Sequence, residues 1–203
     1  MSFEGLFNNV INKGLCARCG ACMGVCPVAV IASDDYGLPK LIGKCTDCGL
    51  CEKVCPGADF DFPKLYRETY SKEFPVDDCM GHYEKTFVCQ SFLPEILKDC
   101  SSGGTATSLA LALVRSGEVN GVGVVTMDEK RPYQAKAVLT KDEKTIISAS
   151  QSKYMFVPML ELLQKMHKQG GEYAIFLLPC QAMGLKKIQS EVPNLAKHIK
   201  YVL

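Results

Sequence analysis

Eight of the twelve cysteines lie in two short runs whose spacing suits the binding of iron. Residues 16–27 and residues 45–56 both follow the pattern C-x2-C-x2-C-x3-C-P, and each cysteine recurs 29 positions later, so the unit is duplicated. Three thiolates at i, i+3 and i+6 on a tight loop can point at one iron–sulfur cube, while the small residues between them let backbone amides approach its sulfurs. The proline after the fourth cysteine fixes φ and turns the chain away. The runs therefore predict two 4Fe-4S sites.

The same spacing resembles that of bacterial two-cluster ferredoxins, in which the fourth cysteine of each run ligates the other cluster. The duplication then predicts two crossed ligand sets, Cys16, Cys19, Cys22 and Cys55 for one cluster, and Cys45, Cys48, Cys51 and Cys26 for the other. Zinc sites and disulfides are the alternatives. Zinc favours one cysteine pair, a long spacer and a second pair of cysteines or histidines, which is a different pattern.

Composition and charge narrow the class of protein. A chain of 203 residues can hold one ordinary domain and one small one, and 47% hydrophobic with 22% charged residues is typical of a soluble globular protein. A net charge of +1 without a cluster of basic residues argues against nucleic acid as a partner. The sequence shows neither a signal peptide nor a transmembrane segment, and eight cluster thiolates suit a reducing compartment, so we expect a cytoplasmic protein.

The predicted elements around the cysteine runs suit a small α+β module. Residues 2–13 carry one apolar stripe at helical spacing, and residues 28–31 and 38–42 are predicted as short strands around a turn. After Pro56 the composition becomes that of a linker that contains one short helical segment. We therefore divide the chain into a two-cluster 4Fe-4S ferredoxin domain at 1–62, a linker at 63–83 and an α/β domain at 84–203.

Strands and helices alternate in the second half, as in α/β domains. The predicted strands are 86–92, 122–126, 133–139, 145–149, 173–178 and 198–203, with 133–139 and 145–149 as a hairpin, and the predicted helices are 106–116, 156–168 and 182–189. The apolar run at 122–126 is of the kind found in strands buried on both faces.

Three loops of this half could hold a cofactor. Residues 101–105, Ser-Ser-Gly-Gly-Thr, precede a helix whose free amides attract anions, although glycine and serine there also serve as a plain turn and cap. Lys153 and Tyr154 could add a cation and an aromatic face, or be a solvated part of a capped loop. The turn at 179–181, Pro-Cys-Gln, follows a predicted parallel strand, where open α/β sheets place ligands.

The remaining cysteines and the histidines carry less information. Cys180 could be a nucleophile, a cluster ligand or a buried inert thiol, and Cys79, Cys89 and Cys100 are interpreted as structural. The three histidines stand at unrelated positions, which argues against a histidine-based hydrolase.

In this order, the motifs resemble those of the family of beta subunits of coenzyme F420 hydrogenases and dehydrogenases. They are the cysteine runs, Met-Gly-His-Tyr at 80–83, Ser-Ser-Gly-Gly-Thr-Ala-Thr at 101–107, Gly-Val-Gly-Val-Val at 121–125, Ser-Gln-Ser-Lys-Tyr at 150–154 and Leu-Pro-Cys-Gln-Ala-Met-Gly-Leu at 178–185. The resemblance implies an oxidoreductase-type iron–sulfur flavoprotein that exchanges hydride with coenzyme F420 at FAD and passes single electrons through two 4Fe-4S clusters to other redox subunits of a complex.

On that resemblance we expect an α+β ferredoxin-like two-cluster module followed by a flavin-binding-type α/β domain. The residues it implies at the flavin are Ser101, Ser102, Gly103, Gly104, Thr105, Lys153, Tyr154, Pro179, Cys180 and Gln181, with the last turn near the isoalloxazine or supplying a thiolate to a cluster. Family members continue with further strands and another cysteine-bearing motif, whereas this sequence stops at Leu203. We therefore expect a truncated α/β domain. The alternative function is a ferredoxin-like relay subunit without flavin chemistry.

Overall fold

The fold is taken from a computed structural model, which describes residues 2–77 and 80–203. Its first part is a small module built around the cysteine runs. The elements of this part are α1 (Phe3–Leu6), a π-helical turn (Phe7–Ile11), α2 (Ala21–Gly24), β1 (Ile31–Ser33), β2 (Pro39–Leu41), α3 (Leu50–Lys53) and α4 (Phe62–Tyr70). Strands β1 and β2 pair antiparallel, with Ile31 opposite Leu41. The predicted N-terminal helix and short strands are confirmed, with strand bounds shifted by one to three residues.

The second part is a four-stranded sheet with helices on both faces. Its elements are α5 (Pro94–Leu97), α6 (Thr105–Arg115), β3 (Val122–Met127), β4 (Ala135–Thr140), α7 (Glu143–Ser148), a 3₁₀ turn (Met159–Glu161), α8 (Leu162–Gln169), β5 (Tyr173–Ile175), α9 (Pro179–Glu191), α10 (Pro193–Ala196) and β6 (Ile199–Val202). The strand order is β4-β3-β5-β6; β4 pairs antiparallel with β3, and the other pairs are parallel. The predicted mixed α/β architecture is thus confirmed.

Alternating side chains of the central strands build two separate cores. Val122 and Val124 of β3 and Ala174 of β5 pack on one face with α5, α6 and α7. Ile175 and Tyr173 point to the opposite face, where they meet α8 and α9. Because both faces are covered, these strands are apolar on both sides, as their sequences predict.

Two predicted strands are wrong. Residues 145–149 lie mainly in helix α7, because the carboxylate of Asp142 accepts a hydrogen bond from the backbone N–H of Thr145 at 2.8 Å and caps a helix there. Ile146 is then buried against α6. Residues 86–92 have no regular secondary structure, and Ser91 donates its N–H to the carbonyl of Gly103 instead, at 2.7 Å.

The module packs directly on the α8/α9 face of the sheet. Cys19, Ala21 and Val25 of the first run share one core with Leu160 and Leu163. The backbone N–H of Leu160 donates to the carbonyl of Cys19 at 3.1 Å. The first cysteine run is therefore held between its own module and the α/β domain.

Candidate functional site: two cysteine cradles and a cavity

The eight cysteines of the two runs line two separate cavities, four in each. Cys16, Cys19, Cys22 and Cys55 line the first, which we call the inner cradle. Cys26, Cys45, Cys48 and Cys51 line the second, the outer cradle. Each cradle thus combines three cysteines of one run with the last cysteine of the other, which is the grouping that the crossed ligand sets require.

The two runs have nearly the same backbone. The residue after the second cysteine is a glycine with positive φ in both, Gly20 at 86° and Gly49 at 75°. Arg18 and Asp47 also match, with φ of 53° and 54°, and each donates its N–H to the sulfur of the run's first cysteine at 3.4 Å. Amide hydrogen bonds to a cysteine sulfur stabilise its thiolate form. The backbone of each loop therefore suits a negatively charged sulfur.

Burial makes these thiols poor acids unless a cation is present. It raises the pKa of Cys19 to about 12 and that of Cys51 to about 11, and it raises the pKa of Cys22 well above the ordinary value. The other thiols of the same cradle add to the effect, since a like charge nearby disfavours ionisation. Bound metal removes thiol protons outright. A cube of iron and sulfide therefore fits the donor set of each cradle.

Other metal chemistry is less compatible with the runs. Within residues 2–77 and 80–203, no three or more His, Cys, Asp or Glu side chains are arranged to hold a single metal ion. The ligands of a four-iron cube each bind a different iron atom, so they need not converge on one point. The eleven cysteines in the described ranges are all free of disulfides, and Cys79 lies outside those ranges.

The cradles differ in their access to solvent. The inner one lies against the α/β domain, and its Cys19 is only 8% exposed. In the outer one, Cys26 and Cys51 are equally buried, but Cys48 is an exposed side chain, whereas none of the four inner cysteines is exposed. A cluster in the outer cradle would therefore be the one that a separate protein could approach.

A cavity of about 410 Å³ opens beside the first turn of α9, and it is lined by β3 and by the residues that follow β5. It brings together six of the sequence-predicted flavin residues, Ser101, Ser102, Gly104, Thr105, Lys153 and Gln181. Its apolar wall comes from the sheet and from the 3₁₀ turn, through Val124, Val125, Phe176, Val157 and Met159. The volume and the mixture of an apolar wall with a few polar groups are those of a small-molecule site.

Four predicted flavin residues lie outside that wall: Gly103, Tyr154, Pro179 and Cys180. Tyr154 is 97% exposed. Gly104 has a packing role as well, because its φ is 72° and a Cβ there would lie 2.4 Å from Cγ2 of Ile96. Gly103 also has a positive φ, 68°, with the carbonyl of Cys89 3.0 Å from its added Cβ. The glycines therefore shape the loop that lines the cavity.

Lys153 is held by the backbone around it. Its ammonium donates to the carbonyls of Ala149 at 2.8 Å and Gln151 at 3.1 Å, and also to that of Ser150. Burial lowers the pKa of Lys153. The lysine thus fixes the loop after α7 as one wall of the cavity while it brings a positive charge to that wall.

The Pro-Cys-Gln turn lies between the cavity and the inner cradle. Gln181 is buried, accepts from the N–H of Leu178 at 2.9 Å and donates to the carbonyl of Val157 at 2.8 Å. Cys180 lies in the first turn of the same helix, close enough to Cys19 that its charge would act on that thiol. One turn later, a Cβ on Gly184 would lie 3.2 Å from the sulfur of Cys19. The first turns of α9 therefore connect the two sites.

Sequence reasoning missed the residues of the α/β domain that contact the cysteine runs. Gln164 and Lys187 each donate to the carbonyl of a cysteine, Cys26 and Cys55 respectively. These two residues lie in α8 and α9, away from the cysteine runs in sequence, so no local pattern marks them. The contact of Gly24 with Leu160 could have been suspected from the sequence, because the second run has Lys53, not glycine, at the equivalent position.

Comparisons with known proteins bear on both halves of the chain. Residues 86–164 match the family described as coenzyme F420 hydrogenase/dehydrogenase, beta subunit N-term, and residues 8–56 match the 4Fe-4S dicluster domain. The matches confirm the predicted resemblance to this family over residues 86–164 and the predicted iron–sulfur module over residues 8–56. The crossed pairing of ligands and the flavin site remain predictions.

Among curated proteins, the chain is 29% identical over 197 residues to a coenzyme F420-dependent sulfite reductase of Methanocaldococcus jannaschii, covering 97% of this chain and 28% of that protein. It is 24% identical over 185 residues to a subunit of the F(420)H(2) dehydrogenase of Methanosarcina mazei, covering 90% of this chain and 51% of that protein. The chain thus spans only part of the length of these relatives.

Among solved structures, the fold is similar to a chain of the F420-reducing [NiFe] hydrogenase complex from Methanosarcina barkeri. The TM-score is 0.52 at 22% identity, over 63% of this chain and 46% of that one. In the described residues, no helix has the length and apolar character needed to cross a bilayer.

Proposed function

We propose that the chain is an electron-transfer unit, because residues 86–164 match the family of coenzyme F420 hydrogenase/dehydrogenase beta subunits and residues 8–56 match a 4Fe-4S dicluster domain. In this proposal it passes electrons between a flavin and coenzyme F420 site in the 410 Å³ cavity and partner redox subunits, by way of two 4Fe-4S clusters. The observation that carries the proposal is the grouping of the eight cysteines into two four-sulfur cradles, one of which lies beside the cavity.

The two cradles would have different roles in this electron path. The inner cradle would hold the cluster nearer the cavity, since Cys19 and the start of α9 lie close together. The outer cradle would hold the cluster nearer a partner, because Cys48 is exposed. The chemistry that the groups supply when bound is a change from paired to single electrons, since a deazaflavin carries hydride, a cluster carries one electron and a flavin handles both.

The cavity wall offers what a flavin requires. The first turn of α6 begins at Thr105, after two glycines with positive φ, and its free amides favour a phosphate group. Lys153 adds a fixed positive charge, and the apolar side chains of the sheet would cover an aromatic ring system. FAD is therefore the cofactor that we propose for this cavity.

The cofactor content of the reconstituted chain tests the proposal. After anaerobic reconstitution with iron and sulfide, we expect about eight iron atoms per chain, because each cube holds four. Added FAD should bind, as followed by quenching of its fluorescence, and the flavin band should bleach when reduced F420 is added.

Two matched variants locate the flavin. Ala106 lies on the first turn of α6 at the cavity, and Ala112 lies on the same helix away from it; both are exposed. Ala106→Phe should weaken FAD binding at least tenfold, whereas Ala112→Phe should bind like the wild type. A chain that holds about eight irons but does not bind FAD would refute the flavin site and support only a relay of electrons between the clusters. A chain that binds no iron would refute the whole proposal.

A further inference from the structure

The last cysteine of each run accepts a hydrogen bond from the α/β domain, and the two donors differ in charge. Each of these carbonyls first accepts from the backbone N–H three residues later, Cys26 from Ala29 at 3.1 Å and Cys55 from Ala58 at 3.2 Å. Each then accepts a second hydrogen bond from a side chain. The amide of Gln164 donates to Cys26 at 2.6 Å, and the ammonium of Lys187 donates to Cys55 at 3.2 Å.

This difference breaks the near-symmetry of the duplicated module. The two cysteines are equivalent in sequence, but a neutral amide contacts the carbonyl of the outer cradle's cysteine and an ammonium contacts that of the inner cradle's cysteine. Lys187 is also fixed in place, because it donates to the carbonyl of Asp59 as well.

We propose that Lys187 selectively raises the reduction potential of the cluster held in the inner cradle. Reduction adds one negative charge to a cluster, so a nearby fixed cation stabilises the reduced form more than the oxidised form. Gln164, which is neutral, gives the carbonyl of Cys26 at the outer cradle a hydrogen bond without that charge. Lys187 is a positioning residue here: it touches a ligand's carbonyl, not the reacting groups.

A higher potential of the inner cluster affects which cluster accepts electrons first. The inner cradle and the cavity meet at α9, where a Cβ on Gly184 would lie 3.2 Å from the sulfur of Cys19 and Gln181 lines the cavity. Raising the potential at that place makes the cluster nearest the cavity a better acceptor. Burial of Cys19 acts in the opposite direction, since it disfavours added charge, so the lysine offsets the cost of placing a cluster against an apolar core.

The test rests on the proposed function, since it needs both clusters in place, and it measures potentials rather than activity. The full chain is reconstituted anaerobically and titrated with dithionite while the two reduced-cluster signals are followed by electron paramagnetic resonance. Cys19→Ser and Cys48→Ser assign the signals to the inner and outer cradles.

Lys187→Met should lower the inner cluster's potential, so that the ratio of reduced to oxidised inner cluster at a fixed potential falls about tenfold, equivalent to about 59 mV for one electron. Lys187→Gln, which keeps a hydrogen-bond donor like that of Gln164, should show the same fall. Lys187→Arg keeps the charge and should hold the wild-type value. Lys186→Met, a loss of charge from the same helix, should leave both potentials unchanged.

Two results would overturn the proposal. One is an inner potential in Lys187→Gln equal to that of the wild type while the chain holds about eight irons. The other is an equal fall in the reduction potentials of both clusters in Lys187→Met, which would mean that the charge acts on the whole module and not selectively on the inner cluster. A wild-type chain without two clusters would instead refute the proposed function, so the two failures are distinct.

Discussion

Gly24 provides a direct test of how the cysteine module is attached to the α/β domain. A Cβ at this position would lie 2.3 Å from the carbonyl oxygen of Leu160 and 3.3 Å from Cδ1 of Leu163. The first contact is with backbone, so α2 and the 3₁₀ turn would have to separate by about 1 Å to reach ordinary van der Waals distance. Gly24→Ala therefore strains the docking surface itself.

The expected loss of stability follows from three effects. Overpacking costs about 1–3 kcal/mol, and weakening the hydrogen bond from Leu160 to Cys19, which is 3.1 Å long, costs about 0.5–1.5 kcal/mol. Alanine is favoured over glycine in a helix by about 1 kcal/mol, which acts the other way. The net expectation is a free energy of unfolding lower by about 1–3 kcal/mol.

The duplicated run supplies the matched control. Lys53 occupies the equivalent position in α3, where its side chain is exposed, so the loop geometry itself tolerates a side chain. Anaerobic urea unfolding of the reconstituted chain should show the loss for Gly24→Ala and a change within about 0.5 kcal/mol for Lys53→Ala. An alanine variant as stable as the wild type, or more stable through helix propensity, would refute the docking that we describe.

The other predictions concern the 3₁₀ turn and α9. Burial raises the pKa of Glu161 because it disfavours the charged carboxylate. The protonated side chain therefore contributes to the free energy of unfolding in full below the ordinary glutamate pKa, and this contribution is lost as pH rises through the raised pKa. Glu161→Gln should therefore stabilise the fold at pH 8 and gain less at pH 5, and a gain independent of pH in urea unfolding would contradict this. Gln181→Leu should cost about 2–5 kcal/mol because it leaves the carbonyl of Val157 and the N–H of Leu178 without their partner. Gln189→Leu, exposed on the same helix, should change stability by less than about 0.5 kcal/mol, and equal losses for both would contradict the role of Gln181.

The sequence was most informative where chemistry fixes local spacing. The cysteine runs predict an iron–sulfur module because ligand geometry demands that spacing, and the 4Fe-4S dicluster match confirms the module. The apolar run at 122–126 predicts a strand buried on both faces, and β3 is such a strand. In both cases the information lies within about a dozen neighbouring residues.

Prediction failed where a helix cap or a contact distant in sequence decides the structure. The β-branched residues at 145–147 favour a strand, but one carboxylate, Asp142, starts a helix. Residues 86–92 have the composition of a strand, yet Ser91 bonds to the glycine loop. The contacts of Gln164 and Lys187 with the cysteine runs join residues more than a hundred positions apart, which no local pattern encodes.

Two clusters held by crossed cysteine sets, the inner one beside the cavity, are central to the proposed electron path. The most direct measurement compares electron paramagnetic resonance spectra of reduced, reconstituted Cys55→Ser with those of Cys19→Ser and Cys48→Ser. The crossed sets predict that Cys55→Ser alters the same signal as Cys19→Ser, because these two residues line one cradle. A change in the signal that Cys48→Ser alters, with the Cys19 signal intact, would contradict the crossed sets.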